Sequence, residues 1–510
     1  MEGPILNIIT TKDTTTNALG NISESIYNGA GQLLSVEDKN TTNSIKTSYD
    51  YDNSGNKIKE TFSDGSYIKY TYDKKNLLLL KYEYNSKNVW TKLSHYEYNE
   101  DDKLTVVQDY NVTNNTPKTY RYTKYEYDGL GRMVGYSEIN GKSQPTEEEV
   151  NANKLVYKYD IEDKLIEIRY PNIVKDKLKG IKFEYNNYKW LVKIKGIISE
   201  NGEERLQDIR NYEYYNDSKI KIIKDYRDFL NLSDGYVQKS YEYDIFDRVT
   251  TMTYVDSINL NKILEQYTYG YDKNSNITTE NIINDYPDEN EKVNETRTYT
   301  YDNLNRMIAS KKTDNLRQTE INTTYTYDKG GNCTKVDENG IITNNTYNGL
   351  NQLVQSEVIK NNVRDSYTVY TYDANGNQIL EQTKDATSTI TEIVQKEYDA
   401  NNQLTKVTCR NGNTSGKIKY TQENTYNYDG KRISKNDNGA VTNYFYQGEV
   451  VLYTTDESGN VTSHNIIGPQ NNIIATIRYE NEGEHSYFYN KDIRTSVSNI
   501  IDESGQAIAS

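Results

Sequence analysis

The residues able to do chemistry in this 510-residue chain are its many carboxylates, 51 tyrosines, three histidines and two cysteines. Nucleophilic or metal chemistry needs such groups at short, fixed spacing. His95, His464 and His485 are dispersed, and Cys333 and Cys409 form no CxxC pair. No HExxH, GxSxG, GxGxxG, Walker A or zinc-knuckle spacing occurs. The sequence therefore predicts no catalytic residue, no metal site and no cofactor, and reads as a non-enzyme. The two cysteines allow buried thiols or one bridge and exclude a disulfide framework. Recurrent aspartates could offer oxygen ligands to Ca²⁺, but their positions follow turn chemistry, which is the preferred reading. Tyrosine rings could stack on sugars. Stacking between strands accounts for them better, since carbohydrate-binding wall repeats lean on tryptophan and this chain has two, Trp90 and Trp190.

The elements that carry these residues follow from composition. Apolar residues make up 34%, below the roughly 45–50% of ordinary globular chains. Alone that points to disorder, but disordered chains are poor in aromatic and β-branched residues, and this one is rich in Tyr, Ile, Val and Thr. Six prolines argue against a PPII linker. The net charge of −15 removes the electrostatic term for nucleic-acid binding and for adhesion to anionic membranes. Met1-Glu2-Gly3-Pro4 does not open a Sec signal peptide, and the longest apolar run, Leu77 to Leu80, is too short to span a membrane.

One phrase recurs from end to end: Tyr-x-Tyr-Asp, a turn, then a polar and an aliphatic residue. Its copies place motif residues at Tyr51, Asp52 and Gly55; Tyr72 and Asp73; Tyr127, Asp128 and Gly131; Tyr159 and Asp160; and Tyr243 and Asp244. Further copies supply Tyr271 and Asp272; Tyr301 and Asp302; Tyr327, Asp328 and Gly331; Tyr372, Asp373 and Gly376; and Tyr428 and Asp429. Degenerate copies include Tyr27-Asn28, Tyr98-Asn99, Tyr347-Asn348 and Tyr489-Asn490. Neighbouring second tyrosines are mostly 20 to 32 residues apart. Tyr-x-Tyr puts two rings on one face of a strand, Asp opens a type I turn, and Gly closes it. A second turn is often Asp-Gly or Asn-Gly, as at Asp64-Gly65 and Asn339-Gly340. Each unit is a β-hairpin of roughly 26 residues, made of strands near six residues long. Thr146 followed by Glu147, Glu148 and Glu149 predicts one or two helical turns as an insertion.

Tyr-x-Tyr-Asp-x-x-Gly-Asn/Arg-x-Leu/Ile resembles the YD repeats of Rhs proteins, of Tc toxin shell components, of wall-associated polymorphic toxins and of teneurins. The resemblance runs from about Tyr27 to Ser510. Tyr487 to Val497 is similar to the start of the family's core region. Asp492, Ile493 and Ser496 fit, but Thr495 stands where the family usually has Gly. The resemblance implies an all-β fold, a YD-repeat array forming a long, curved, spiralling antiparallel sheet, as part of a shell. The expected layout is N-terminal entry strands over 1–26, the array over 27–486, and a truncated opening of the core over 487–510. It implies a structural role in a shell that encapsulates or presents a toxic C-terminal domain, with a secreted or cell-surface location. Expected partners are the remaining core and toxin domain, or a companion shell chain, with no nucleic acid and no membrane insertion. The alternative is a repeat protein that binds cell-wall or surface glycans. Two further expectations follow: an open sheet with exposed edges, and Tyr127, Tyr243, Tyr327 and Tyr372 largely buried on one face.

Overall fold

The computed structural model describes residues 10–39, 44–113, 116–231, 235–258, 262–285, 292–468, 471–480 and 483–509. The first nine residues of the expected entry segment thus lie outside the described residues. Within them the chain is all-β: forty strands and one short helix, Glu147–Ala152. The helix stands where Thr146 predicted it. Thr146 and Glu149 form a reciprocal capping box, and three glutamates occupy its first turn.

Within each unit, strands pair antiparallel with their neighbours in sequence. Tyr243, for example, ends strand Tyr236–Tyr243, which pairs with Val249–Asp256. The two rings of Tyr-x-Tyr share a face as expected: Tyr241 and Tyr243 stack with centroids 6.3 Å apart, as do Tyr267 and Tyr269. At the motif end the register slips by one residue in hairpin after hairpin. Tyr51 opposes Lys57, Tyr72 opposes Leu78, Tyr243 opposes Val249, and Tyr372 opposes Gln378, each beside a bulge. A bulge recurring at the same place in successive repeats adds twist there. Both cysteines are free thiols.

The chain divides into two compact units interleaved in sequence. Unit 1 comprises residues 1–124, 139–145 and 325–441, and unit 2 comprises 125–138, 146–324 and 442–510. Unit 1 sets early hairpins beside late ones. Asn375 accepts from the Asp64 amide at 2.9 Å, Lys92 pairs with Asp399 at 2.6 Å, and Tyr120 donates to the Tyr426 carbonyl at 2.7 Å. These partners are 306 to 311 residues apart. The late residues sit at motif turns and the early ones at or near the opposite, distal ends of their hairpins, so the two strips meet edge to edge. Gly330 and Gly376 lie under the side chains of Leu19 and Ile45, where a Cβ would meet them at 2.6 and 2.8 Å.

Unit 2 holds the larger apolar core. Leu178, Ile181, Ile194, Ile209, Phe229 and Met252 pack with Leu452, Ile466, Ile477, Phe488 and Ile501 from the C-terminal strands, all fully buried or nearly so. The C-terminal segment lies across the hairpins. Partners of residues 446 to 494 spread from Glu138 to Glu280.

Candidate functional site

The repeated aspartates are spent on their own turns. The Asp52 Oδ1 accepts from the amides of Ser54 and Asn56, both at 2.9 Å, while Oδ2 takes the Asn56 side-chain amide. Asp244 does the same with Phe246 and Arg248, whose guanidinium Nε donates to Oδ2 at 2.7 Å. The residue three past the aspartate has positive φ: Gly55, Gly131, Gly331 and Gly376, but also Asn76, Asp163, Asp247 and Asn305. Asn and Asp tolerate that region next best after glycine. These hydrogen bonds hold the carboxyl below its ordinary range, with the Asn56 side chain the largest influence at Asp52 and the Arg248 side chain at Asp244.

At two turns opened by asparagine, the partner four residues on is glutamine. Asn28 Nδ2 donates to Gln32 Oε1 at 2.6 Å, and Asn348 to Gln352 at 2.7 Å. Asp399 faces Gln403 instead, and the buried Gln403 Oε1 finds no partner.

Two ladders link successive hairpins in opposite directions. The second tyrosine reaches back. Tyr51 donates to the Leu33 carbonyl, Tyr72 to Lys57, Tyr243 to Ile220 and Tyr372 to Leu353, at 2.8 to 2.9 Å. The turn residue four past the aspartate reaches forward. Asn56 donates to Asn76 Oδ1 at 2.8 Å, Arg132 to Asp163 at 2.7 Å, and Arg248 to the Asp272 carbonyl at 3.0 Å. The expectation of largely buried motif tyrosines needs correction. Tyr127, Tyr243, Tyr327 and Tyr372 are half-buried, and the hydroxyls of Tyr243 and Tyr372 reach carbonyls of the preceding hairpin. Deeper burial falls to tyrosines further inside the strand, such as Tyr157 and Tyr269.

Two motif copies are shifted by two residues. Gly430 carries the positive φ, so the turn opens at Asn427 and the ladder tyrosine is Tyr426, bonded to the Leu404 carbonyl at 2.9 Å. Tyr428 and Asp429 therefore lie within the turn, and Tyr428 packs edge-on against Tyr96 at 5.8 Å. Likewise Tyr489-Asn490 precedes a turn that opens at Asp492, with Lys491 in the ladder position opposite Val497. There Thr495 takes φ +65°, a conformation that is costly for a β-branched residue.

Where the C-terminal segment crosses unit 2, polar groups are buried beside the apolar core. Asn490 and Ser498 donate to Glu265, Arg494 donates to Glu280 at 2.6 Å, and Arg227 pairs with Asp256 and reaches the Ser504 carbonyl at 2.9 Å. Beside them lies a cavity of about 430 Å³ lined by Tyr212, Tyr241, Tyr254, Tyr489, the Arg210–Asp225 pair, Lys239 and Lys491. The Lys239 ammonium sits about 5 Å from the Tyr241 and Tyr254 rings and donates to the Lys491 carbonyl at 3.0 Å. Burial, with Arg210 alongside, pushes it down to about 7. His464 is fully buried, with Nδ1 2.7 Å from Asp176, which also accepts from Tyr479 at 2.8 Å. His485 pairs with Glu503. Among the described residues no three His, Cys, Asp or Glu side chains gather as a metal site.

Sequence reasoning missed the buried carboxylates Glu265, Glu280 and Asp176, because their partners lie two to three hundred residues away. The only local trace is a charged residue at an inward strand position, as in Thr279-Glu280-Asn281.

Bulged hairpins with a Tyr hydroxyl reaching back and an Asp-capped turn reaching forward define a YD-repeat array. No protein-family profile matches the chain. In sequence, 193 aligned residues are 35% identical to the tRNA3(Ser)-specific nuclease WapA of Bacillus spizizenii and 34% identical to the tRNA nuclease WapA of Bacillus subtilis. Each alignment covers 32% of this chain and 8% of the relative's length. Among solved structures, TcdB2–TccC3 without its hypervariable C-terminal region aligns with 98% of this chain and 34% of that chain, at 12% identity and TM-score 0.43. The Photorhabdus luminescens Tc holotoxin pore aligns over the same shares at 12% identity and TM-score 0.29. The chain is thus a YD-repeat array whose sequence is similar to WapA over about a third of its length.

Proposed function

We propose that this chain is a non-catalytic stretch of shell wall that encapsulates or presents a toxic effector domain in bacterial competition or toxin delivery, at the cell surface or outside it. Residues 487–510 are read as the opening of the core that follows the repeats. One observation carries the proposal: the motif's reactive groups are committed to the array itself. The tyrosine hydroxyls and aspartate oxygens bind neighbouring hairpins at ordinary hydrogen-bond distance, as a wall requires and a glycan platform or hydrolase does not. WapA's nuclease activity belongs to proteins of which this alignment spans a small part.

The test is protection of a fused passenger. A protease-labile reporter domain joined after Ser510 should be digested several-fold more slowly than the same reporter free. Its digestion should return to the free rate when ladder tyrosines are replaced in combination. Equal rates for fused and free reporter would sink the wall reading, and so would tRNA cleavage by the purified chain. Binding to a soluble glycan array would favour the glycan-binding alternative.

A further inference from the structure

Seven successive motif turns of unit 2 open at residues 128, 160, 186, 215, 244, 272 and 302. Neighbouring tips lie two strands apart, about 10 Å, so they form an edge about 60 Å long. Five tips carry large apolar side chains in water: Leu130, Ile161, Tyr188, the pair Ile245 and Phe246, and Leu304, with Ile161 fully exposed and Ile245 90% exposed. Nothing in turn chemistry asks for them. The same tip positions in the early hairpins of unit 1 are the small or polar Ala30, Ser54, Lys75 and Asp101.

Unit 1 records what such an edge fits. The motif turns of its late hairpins lie against the distal ends of hairpins some 300 residues earlier. Ala400 is 5% exposed, Asn401 donates to Glu83, and Gly330 sits beneath Leu19. A motif-turn edge is therefore built to seat on a distal hairpin edge. The late hairpins of unit 1 display such a distal edge with apolar side chains of its own: Ile341, Val363 and Ile418, of which Val363 is 66% exposed.

We propose that the motif-turn edge of unit 2 docks, head to tail, on the distal edge of unit 1 in a second copy of the chain. The contact repeats between copies the edge-to-edge seam already present within unit 1. It is heterologous, so successive copies add in one direction. Large exposed apolar rows of this kind mark association surfaces. The proposal does not depend on enclosure of a cargo, and its test does not read protection.

The experiment is sedimentation velocity on the full chain up to about 100 µM, where weak interfaces of small area reveal themselves. Wild type should shift to larger species with concentration. A first variant, Leu130→Ser, Ile161→Lys and Ile245→Asn, uses residues of the kind other repeats carry at turn tips, so it should fold unchanged by circular dichroism. It should remain monomeric. A second variant, Ile341→Asn with Val363→Asp, should also remain monomeric. Each variant keeps one intact edge, so their mixture should form a 1:1 dimer and nothing larger. A monomeric wild type at the highest concentration would overturn the proposal. So would association that survives in either variant, or a mixture in which no dimer forms.

Discussion

The Tyr243 hydroxyl donates to the main-chain carbonyl of Ile220, 2.9 Å away and one hairpin earlier. The ring is half-buried, so its two contributions can be separated. Tyr243→Phe should cost about 1 kcal/mol, the net worth of one hydrogen bond. Tyr243→Ala should cost about 2–3 kcal/mol, less than a fully buried aromatic. Urea unfolding of the two variants checks this, and equal losses would show that the hydroxyl does nothing.

At the turns, charge and partner should swap together. Asp52→Asn alone leaves the Asn56 amide facing another amide and should lower the urea midpoint. Adding Asn56→Gln recreates the pair seen at Asn28 and Gln32 and should restore it. The same turns set the acid limit. Folded carboxyls at Asp52, Asp244 and Asp272 lie below their usual range. Their contribution is present above about pH 4 and is lost as pH falls through the lowered values. Acid unfolding followed by circular dichroism should shift to lower pH as aspartate turns are converted to Asn/Gln turns.

Alkali should act through the tyrosines. Burial raises their hydroxyls, pushing Tyr214 and Tyr299 to about 12. Stability carried by these protonated groups is whole below about pH 10, the value of free tyrosine, and fades as pH climbs through the folded value. Tyrosinate absorbance should therefore rise late and together with loss of the β-sheet signal. Ionisation of most rings at pH 10 with the sheet intact would contradict this.

Asp109 is buried beneath Ser94, which donates to it at 2.6 Å, while Tyr428 offers its amide at 3.2 Å and Arg121 stands opposite in the ladder. Burial pushes the carboxyl up to about 6, above the unfolded value. Its stabilising protonated form is whole below about pH 4 and is lost as pH rises through 6. Asp109→Asn should therefore add about 1–2 kcal/mol at pH 7 and nothing at pH 4, read from denaturant midpoints at both pH values.

Thr495 holds φ +65° at a turn position that most other repeats fill with Gly, Asn or Asp. Thr495→Gly should stabilise unit 2 by about 1 kcal/mol by relieving that conformation. A loss on substitution would mean that the threonine side chain is needed in the adjoining cavity.

The hairpins, their turns and the shared face of Tyr-x-Tyr were legible in the sequence because each rests on residues within seven positions of one another. The Glu147–Ala152 helix was legible for the same reason. The motif end at Tyr428 was misplaced because Tyr426 and Tyr428 both satisfy the local pattern, and the positive φ of Gly430 alone decides between them. The seams were not legible. Asp64 with Asn375, or Glu280 with Arg494, obey no short-range rule, and an inward glutamate reads as a surface charge until its distant partner is known.

The constant six-residue step from the ladder tyrosine to its opposite number has an evolutionary corollary. Among the described residues, additions fall at the other end of the hairpin, as with the helix at 147–152 and the longer connection at 170–177. The motif end works like the bound spine of a book, fixing page order while the free margins are cut to different widths. Insertions and deletions can accumulate at the margin without changing the register of any strand. A lineage can therefore reshape one surface of the protein while its fold stays the same.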